Sequence, residues 1–377
     1  MKPIRGIKKL PVSITKDRAP ELFMKLTSVA SAITRLDEKL KNSIIASELV
    51  NTLALKESVQ STRIEGTQVT FADMINEIHS QRQRQDHIEI LNYRRALFIG
   101  QERIQNGYPI TTRLLLDLHK ILMEGGRGTE ANSGEFRKVP NWIGPTKKFE
   151  DAVYIPVEAD EIEDYMMNWE LYANKHPYNE MMSINHLSND AFILDEDAHP
   201  LLKVAILHAQ FESIHPFLDG NGRIGRIIIP LFMMQAGQLP SPIFFVSEEL
   251  EKQRAKYYHL LNKTRGDEPD WYSWIEFFVD ASGRMAKKLN NLLDHANTLA
   301  EEGIAKCTSH TERYIYILTF SIPNITAIEA AKQVKVAPTT ARRALNALVE
   351  KDLLFKDPSQ RRNVEYFNYD VLDLFDR

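Results

Sequence analysis

The chain has 377 residues, too many for one ordinary hydrophobic core, so length alone predicts two or three domains. Its 43% hydrophobic and 26% charged residues are those of a globular protein, and a net charge of -4 excludes a global electrostatic pull toward nucleic acid or anionic membrane. The single cysteine, Cys307, excludes an intramolecular disulfide and fits a reducing compartment.

The basic start MKPIRGIKKLPVSITKD has no apolar stretch behind it, so a secretory signal is not expected and a cytoplasmic location is. Apolar residues return every three or four positions through most of the chain, with Gly and Pro in the gaps, which predicts a mainly α protein. Asp17 and Pro20 open a first helical stretch, and a second runs from about Lys41 to Glu65, with Gly66 as its stop. These make an N-terminal helical region, residues 1–95. Further helices follow from about Tyr93 to Glu124, and GGRGTEANSGEFRKVPNW then breaks the pattern as a loop. Asn141 to Val157 has β-branched and aromatic residues around a polar middle, which predicts a short β-hairpin, the one β element expected before the C-terminus. Helices resume from about Glu158 to Ile214, and a polar loop feeds another from Arg223 toward Ala236. The apolar run Ile227 to Met234 is broken by Pro230 and falls far short of the roughly 20 residues that cross a bilayer, so no membrane span is expected. A Trp-rich segment, DWYSWIEFFV, leads into a long charged helix through Leu299. The expected division is a core over 96–285, a linker helix over 286–310 and a third block over 311–377. That block reads as helix, turn, helix and two short β-like runs around Arg361 and Arg362, the pattern of a winged helix-turn-helix.

The chemistry concentrates in His215 to Arg226, H-P-F-L-D-G-N-G-R-I-G-R. Gly220 and Gly222 flank Asn221, so the backbone N–H groups of these three residues can converge into an anion-binding nest at the start of a helix. Arg223 and Arg226 lie in that first turn, where cations are disfavoured unless an anion sits between them, and their i,i+3 spacing lets both reach one polyphosphate. Asp219, one residue before the nest, is placed to hold a Mg²⁺ that bridges phosphate oxygens. His215, four residues earlier, is the candidate general base. Base, metal ligand, nest and cations together describe nucleotidyl or phosphoryl transfer.

The segment resembles the signature of the Fic family, His-x-Phe-x-Asp/Glu-Gly-Asn-Gly-Arg-x-x-Arg, and matches it at every specified position. The resemblance extends through HAQFESIHPF upstream and KYYHLL and WYSWIEFF downstream, roughly Leu114 to Val279. It implies a helical Fic core that binds ATP with Mg²⁺ and transfers AMP to a Tyr, Thr or Ser hydroxyl of a protein. By motif position, His215 is the base, Asp219 the metal ligand, Gly220, Asn221 and Gly222 the holders of the α and β phosphates, and Arg223 and Arg226 contacts of the outer phosphates. The hairpin at Asn141 to Val157 resembles the family's flap, which pins the target segment by strand-like pairing. Tyr258, Gln253 and Gln210 fall where the family contacts the nucleotide; Tyr257 beside them is a core residue as readily. Ser61 to Gly66, S-T-R-I-E-G, resembles the inhibitory motif Ser/Thr-x-x-x-Glu-Gly/Asn, so Glu65 is expected to pair with Arg226 and Ser61 to orient Glu65.

Three other readings compete: transfer of another phosphate-containing group, a Fic-fold ligand sensor coupled to a winged-helix transcription regulator, and a metal phosphohydrolase. The last needs more clustered metal ligands than the chain offers, and His208 reads as structural. In the C-terminal block, Arg342, Arg343, Arg361 and Arg362 are candidates for DNA phosphates, yet Ile322 to Arg377 holds nine Lys/Arg against eight Asp/Glu. That balance predicts weak DNA binding if any. The expected partner is a target protein bearing a hydroxyl side chain, with self-modification included.

Overall fold

Helices carry the chain, as the apolar periodicity predicts, and the strands that join them are very short. The computed structural model describes residues 2–76, 85–126, 132–146, 148–175, 190–356 and 364–376. In chain order it gives β1 (Ile4–Arg5), β2 (Val12–Thr15), α1 (Ala19–Asn42), α2 (Ala46–Ile64), α3 (Phe71–Asn76), α4 (Gln85–Gln105) and α5 (Thr112–Met123). β3 (Tyr154–Ile155), α6 (Ile162–Ala173), β4 (Ala191–Leu194), α7 (Pro200–Ile214), α8 (Asn221–Gln235), α9 (Ser247–Lys252), α10 (Arg254–Lys263) and α11 (Trp271–Lys306) follow. The chain closes with α12 (His310–Leu318), β5 (Asn324–Thr326), α13 (Ala327–Val334), α14 (Pro338–Glu350), β6 (Phe355–Lys356), β7 (Glu365–Phe367) and α15 (Tyr369–Asp376). Among the described residues no helix is long and apolar enough to cross a membrane.

The chain divides into two compact units. The first comprises Met1–Thr34, Glu57–Gln68 and Gln83–Ala286; the second comprises Arg35–Lys56, Val69–Arg82 and Lys287–Arg377. The region expected as one block over 1–95 therefore contributes to both. The expected boundary at 285/286 falls one residue from the observed one, inside the unbroken helix α11.

In the first unit α7 is the central element: every residue from Leu201 to Ile214 is buried. A helix buried all round must be wrapped by others. Trp169 of α6 and Trp274 of α11 lie fully buried and donate their indole N–H groups to the carbonyls of Leu207 and Ala205 at 2.8 and 2.9 Å. Both tryptophans thus bury a large apolar ring without stranding its donor. α8, which follows a six-residue loop, buries almost its whole length and packs against α7.

The sequence expectation missed three strands here. β1 pairs in parallel with β3, Ile4 opposite Tyr154, and β2 pairs antiparallel with β4, Val12 opposite Leu194. β2 does alternate, with Val12 and Ile14 buried and Ser13 and Thr15 exposed, but four residues are too few for a period of two to stand out. β4 falls among the helices expected from about Glu158 to Ile214. The hairpin expected at Asn141 to Val157 is a looser loop: Ile143 makes a single antiparallel bridge to Tyr154, a 3₁₀ turn spans Phe149–Asp151, and the strand proper pairs with β1 instead.

The second unit runs helix, strand, helix, turn, helix, strand, strand from α12 to β7, with a three-stranded antiparallel sheet ordered β5-β7-β6. Thr326 caps α13 in a box with Glu329, and Pro338 starts α14 at a position where no N–H is needed. Arg361 and Arg362 lie outside the described residues.

Candidate active site

The segment from His215 to Arg226 joins α7 to α8, and its shape is held by side chains far away in sequence. α7 ends at His215, which takes the left-handed conformation at φ 51°, ψ 59°. A non-glycine residue there costs about 1–2 kcal/mol, so something must hold it. Arg137, 2% exposed, does so: its Nε donates to the His215 carbonyl at 3.0 Å, and its other nitrogens donate to the carbonyls of Val139 and Val157. Next, the Asn221 side chain closes on Phe217, accepting from its N–H at 2.9 Å and donating to its carbonyl at 2.8 Å. Asn221 therefore serves the loop with its side chain and leaves only its backbone for a ligand. Replacing Asn221 with alanine should cost about 1–3 kcal/mol, because both backbone groups are buried, and should lower the midpoint of urea unfolding.

His119 of α5 supports the same loop. Its ring stacks on Phe217 with centroids 3.8 Å apart, its Nδ1 accepts from the Gly134 N–H at 2.9 Å, and its Nε2 lies 3.0 Å from the Asp219 carbonyl. A carbonyl only accepts, so the proton sits on Nε2. Burial pushes His119 down to about 4, in keeping with a neutral ring. Gly220 then turns at φ 80° beneath this ring; a Cβ there would lie 3.1 Å from Met123 Sδ, so both conformation and space call for glycine.

Asp219 accepts from the Gly220 N–H at 2.6 Å and stands 53% exposed. His215 is pushed down to about 3, first by burial and then by the charges of Arg265 and Arg137, which leaves it neutral. Arg265 also reaches β3: its guanidinium lies 3.9 Å from the centroid of the Tyr154 ring and donates from Nε to Ser213 Oγ at 3.0 Å, while the Tyr154 hydroxyl donates to the Ser213 carbonyl at 2.8 Å. β3 is thereby fastened two residues before His215.

The two arginines of the segment do not share one anion here. Arg226, 1% exposed, is taken up by the last turn of α2: Nε donates to Ser61 Oγ at 2.8 Å, and Nη2 donates to the Ser61 carbonyl at 3.1 Å and to Glu65 Oε1. Ser61 thus holds Arg226 rather than orienting Glu65, which corrects the sequence expectation. Gly66 ends this helix at φ 102° and leaves Glu65 as its last side chain before the turn. A Cβ on Gly222 would come within 2.3 Å of Glu65 Oε1, so that carboxylate lies against the N-terminal turn of α8. Burial would raise Glu65, but the charge and hydrogen bond of Arg226, with Arg223 and His215, bring it below the usual carboxylate range. Arg223 pairs instead with Glu89 at 3.3 Å, both nearly buried, and reaches Asp219 at 3.6 Å.

Glu65, Asp86, Glu89, His215, Asp219 and Arg223 line a cavity of about 500 Å³ that also exposes Gly220 to Gly222. Gln210 and Gln253, expected at the nucleotide, do not line it. Gln210 is 1% exposed and donates to the Lys8 carbonyl at 2.9 Å, tying down the N-terminal strands. Gln253 is a turn residue between α9 and α10 whose backbone carbonyl accepts from the Tyr257 N–H at 2.9 Å. Tyr258 lies beside the segment Ser61 to Gly66, its hydroxyl donating to the Ile64 carbonyl at 3.4 Å. His208 and Tyr257 are structural: the Tyr257 hydroxyl donates to His208 Nε2 at 2.9 Å, and Nδ1–H donates to the Gly225 carbonyl at 3.0 Å.

Glu89, Asp86, His119 and Arg137 belong to the site and were not singled out from the sequence, since each reaches it across a long stretch of chain. Glu57 is another: fully buried on α2 two turns before Glu65, it accepts from Tyr93 at 3.1 Å and from Ser247, and burial raises it to about 7.

Comparison with known proteins gives the family. The family model described as Fic/DOC family matches residues 109–233, and the one described as Fic/DOC family N-terminal matches residues 23–102. The chain is similar to the protein adenylyltransferase Fic of Drosophila erecta, 27% identical over 228 residues that cover 59% of this chain and 39% of that protein. The protein of the same name from Drosophila mojavensis is 26% identical over 228 residues, 59% of this chain and 38% of the other. The chain thus spans about two fifths of the length of these relatives. A Fic family protein from Desulfovibrio desulfuricans superposes with a TM-score of 0.56 at 17% identity, covering 96% of this chain and 98% of its own. A Fic domain containing signaling protein from Bacteroides thetaiotaomicron gives 0.52 at 16% identity, over 71% and 97%. Matched across both its N-terminal and its central segments, and sharing the fold over nearly its whole length, the chain belongs to the Fic/DOC family.

Proposed function

We infer that the chain is a protein adenylyltransferase, which moves AMP from ATP onto a Tyr, Thr or Ser hydroxyl of a target protein or of itself, and that Glu65 holds it in check. The relatives bear the name of that activity. The observation that carries the reading is the Glu65 carboxylate at the N-terminus of α8 and on Arg226: an anion of this chain occupies the place that a nucleotide phosphate needs.

With Glu65 withdrawn, the N–H groups of Gly220 to Gly222 and the start of α8 would receive the inner phosphates, and Arg223 and Arg226 the outer ones. The neutral His215 would take the proton of the target hydroxyl while its oxygen bonds to the α-phosphorus, the bond to the β-phosphate breaks and pyrophosphate leaves. The loop from Asn141 to Val157, fastened through Tyr154, would pair with the target segment beside His215.

Residues here also suit a divalent cation. The cavity is lined by four carboxylates and one arginine, so a polyphosphate enters favourably only with its charge offset, and the exposed Asp219 carboxylate is the ligand on offer. Among the described residues no three His, Cys, Asp or Glu gather to hold a metal, so phosphate and water oxygens would complete the shell of a Mg²⁺, which would neutralise charge on the phosphates.

The test is the fate of the label. ATP labelled at the α-phosphate should mark protein in a cell lysate given the Glu65→Gly chain, and ATP labelled at the γ-phosphate should not. Transfer of the γ label alone would replace adenylyl by phosphoryl transfer and refute the reading.

A further inference from the structure

The near-balance of charge over the C-terminal block is a sum of stretches that differ in sign along the chain. From Ala330 to Val349 all four charged residues are basic, Lys332, Lys335, Arg342 and Arg343, whereas Glu350, Asp352, Glu365, Asp370, Asp373 and Asp376 all come later in the chain. The four cations fall on α13, on the turn after it and on α14, and each is exposed. Among the described residues none of the four is paired with a carboxylate, in contrast to Lys351 of the same unit, which is bound by Glu312. The acid closest in sequence, Glu329, has its side chain turned back on the Thr326 backbone N–H at 2.9 Å as part of the α13 cap.

Geometry gives this basic run a direction. α13 ends at Lys335 in the left-handed conformation, φ 56°, and three residues later α14 begins. This is the short turn of a helix-turn-helix. α14 buries Ala341, Ala344, Leu345 and Leu348 and so presents Thr339, Thr340, Arg342 and Arg343 outward. Its back is fixed to the sheet, because Asn346 Oδ1 accepts from Lys356 Nζ at 2.9 Å and from the Tyr366 hydroxyl at 3.2 Å. Its N-terminus carries no side-chain cap, and Pro338 has no N–H, so the Thr339 N–H is the first donor, and Thr339 and Thr340 are both exposed. Thirteen residues make a rod about 20 Å long. A rod of that size, basic in its first half and open at its N-terminus, fits the roughly 12 Å major groove with phosphates at its start.

We propose that the face formed by α13, its turn and the first half of α14 docks double-stranded DNA, with Lys332, Lys335, Arg342 and Arg343 on phosphates and α14 in the major groove. This stands apart from the transferase reading, since the face shares no residue with the cavity around His215.

The experiment uses the full chain and a short mixed-sequence duplex followed by fluorescence anisotropy over a salt series. Four phosphate contacts predict that log K falls against log salt with a slope of about -3.6. Replacing Arg342 and Arg343 together with alanine should flatten the slope by about 2 and weaken binding at least about tenfold at low salt. Both side chains are exposed and unpaired, so the far-ultraviolet circular dichroism of the variant should match the parent. Absence of binding at low salt, or binding and slope unchanged in the double variant, would overturn the proposal. Competition by polyglutamate as effective as that by duplex DNA would overturn it too, and would assign the face to an acidic protein.

Discussion

A chain with His215 replaced by alanine should lose AMP transfer by about 10³-fold or more while its affinity for nucleotide stays within about twofold. The separation follows from where the groups lie. On the proposed reading phosphates are held by the N–H groups of Gly220 to Gly222 and by Arg223 and Arg226, none of which touches the imidazole through a hydrogen bond, whereas among the described residues lining the cavity His215 is the neutral base for the proton of the target hydroxyl. The pH profile gives a second readout. With its value pushed down to about 3 by burial and by Arg265 and Arg137, His215 stays in its basic form well below the ordinary 6.5 of histidine. Transfer by the Glu65→Gly chain should therefore show no acid limb centred near 6.5, and should be lost only as the pH approaches the carboxylate range. A measured limb at 6.5 that disappears in His215→Ala would place the imidazole in water, and full turnover in His215→Ala would remove it from the chemistry.

What the sequence discloses here depends on how local the interaction is. The twelve residues from His215 to Arg226 are contiguous, so base, candidate metal ligand, nest and arginines can be read in one glance, and the helices announce themselves because ten or more residues repeat one period. β1 and β3 are two residues each, too short for any period, and their pairing joins Ile4 to Tyr154. Arg137 and His119 look like ordinary loop and helix residues until the fold brings one to the His215 carbonyl and the other to that of Asp219. Gln210, expected at the nucleotide, stands outside the cavity lining for the opposite reason: a place near His215 on a helix says nothing about direction, and its amide donates to the Lys8 carbonyl. Charge shows the same limit, since a count along the chain sums over faces that a helix separates. The balance of Ile322 to Arg377 hid a run of four cations with no acid between them.

Glu65→Gly should raise AMP incorporation by between about tenfold and a hundredfold, and the argument begins with the two partners that Glu65 has. Its Oε1 receives Nη2 of Arg226, and it lies against Gly222 at the positive end of α8. Both are places that the proposed reading gives to phosphate, so on that reading nucleotide and carboxylate compete for the same cation and the same N–H groups. The carboxylate holds its place while charged, and it stays charged because Arg226 brings it below the usual range. A hydrogen bond to a charged group contributes about 1.5–3 kcal/mol, which as a bias between seated and withdrawn Glu65 is the stated change in rate. Glu65→Asp should release the brake in part, because one methylene less cannot span from the end of α2 to both Arg226 and Gly222. Ser61→Ala should give a smaller rise, since it removes one acceptor from Arg226 Nε and leaves the Ser61 carbonyl and Glu65 on Nη2. Incorporation is compared for wild type, Glu65→Gly, Ser61→Ala and the double variant Glu65→Gly with His215→Ala. Equal incorporation by wild type and Glu65→Gly would sink the brake, and label in the double variant would show that the signal arises away from His215.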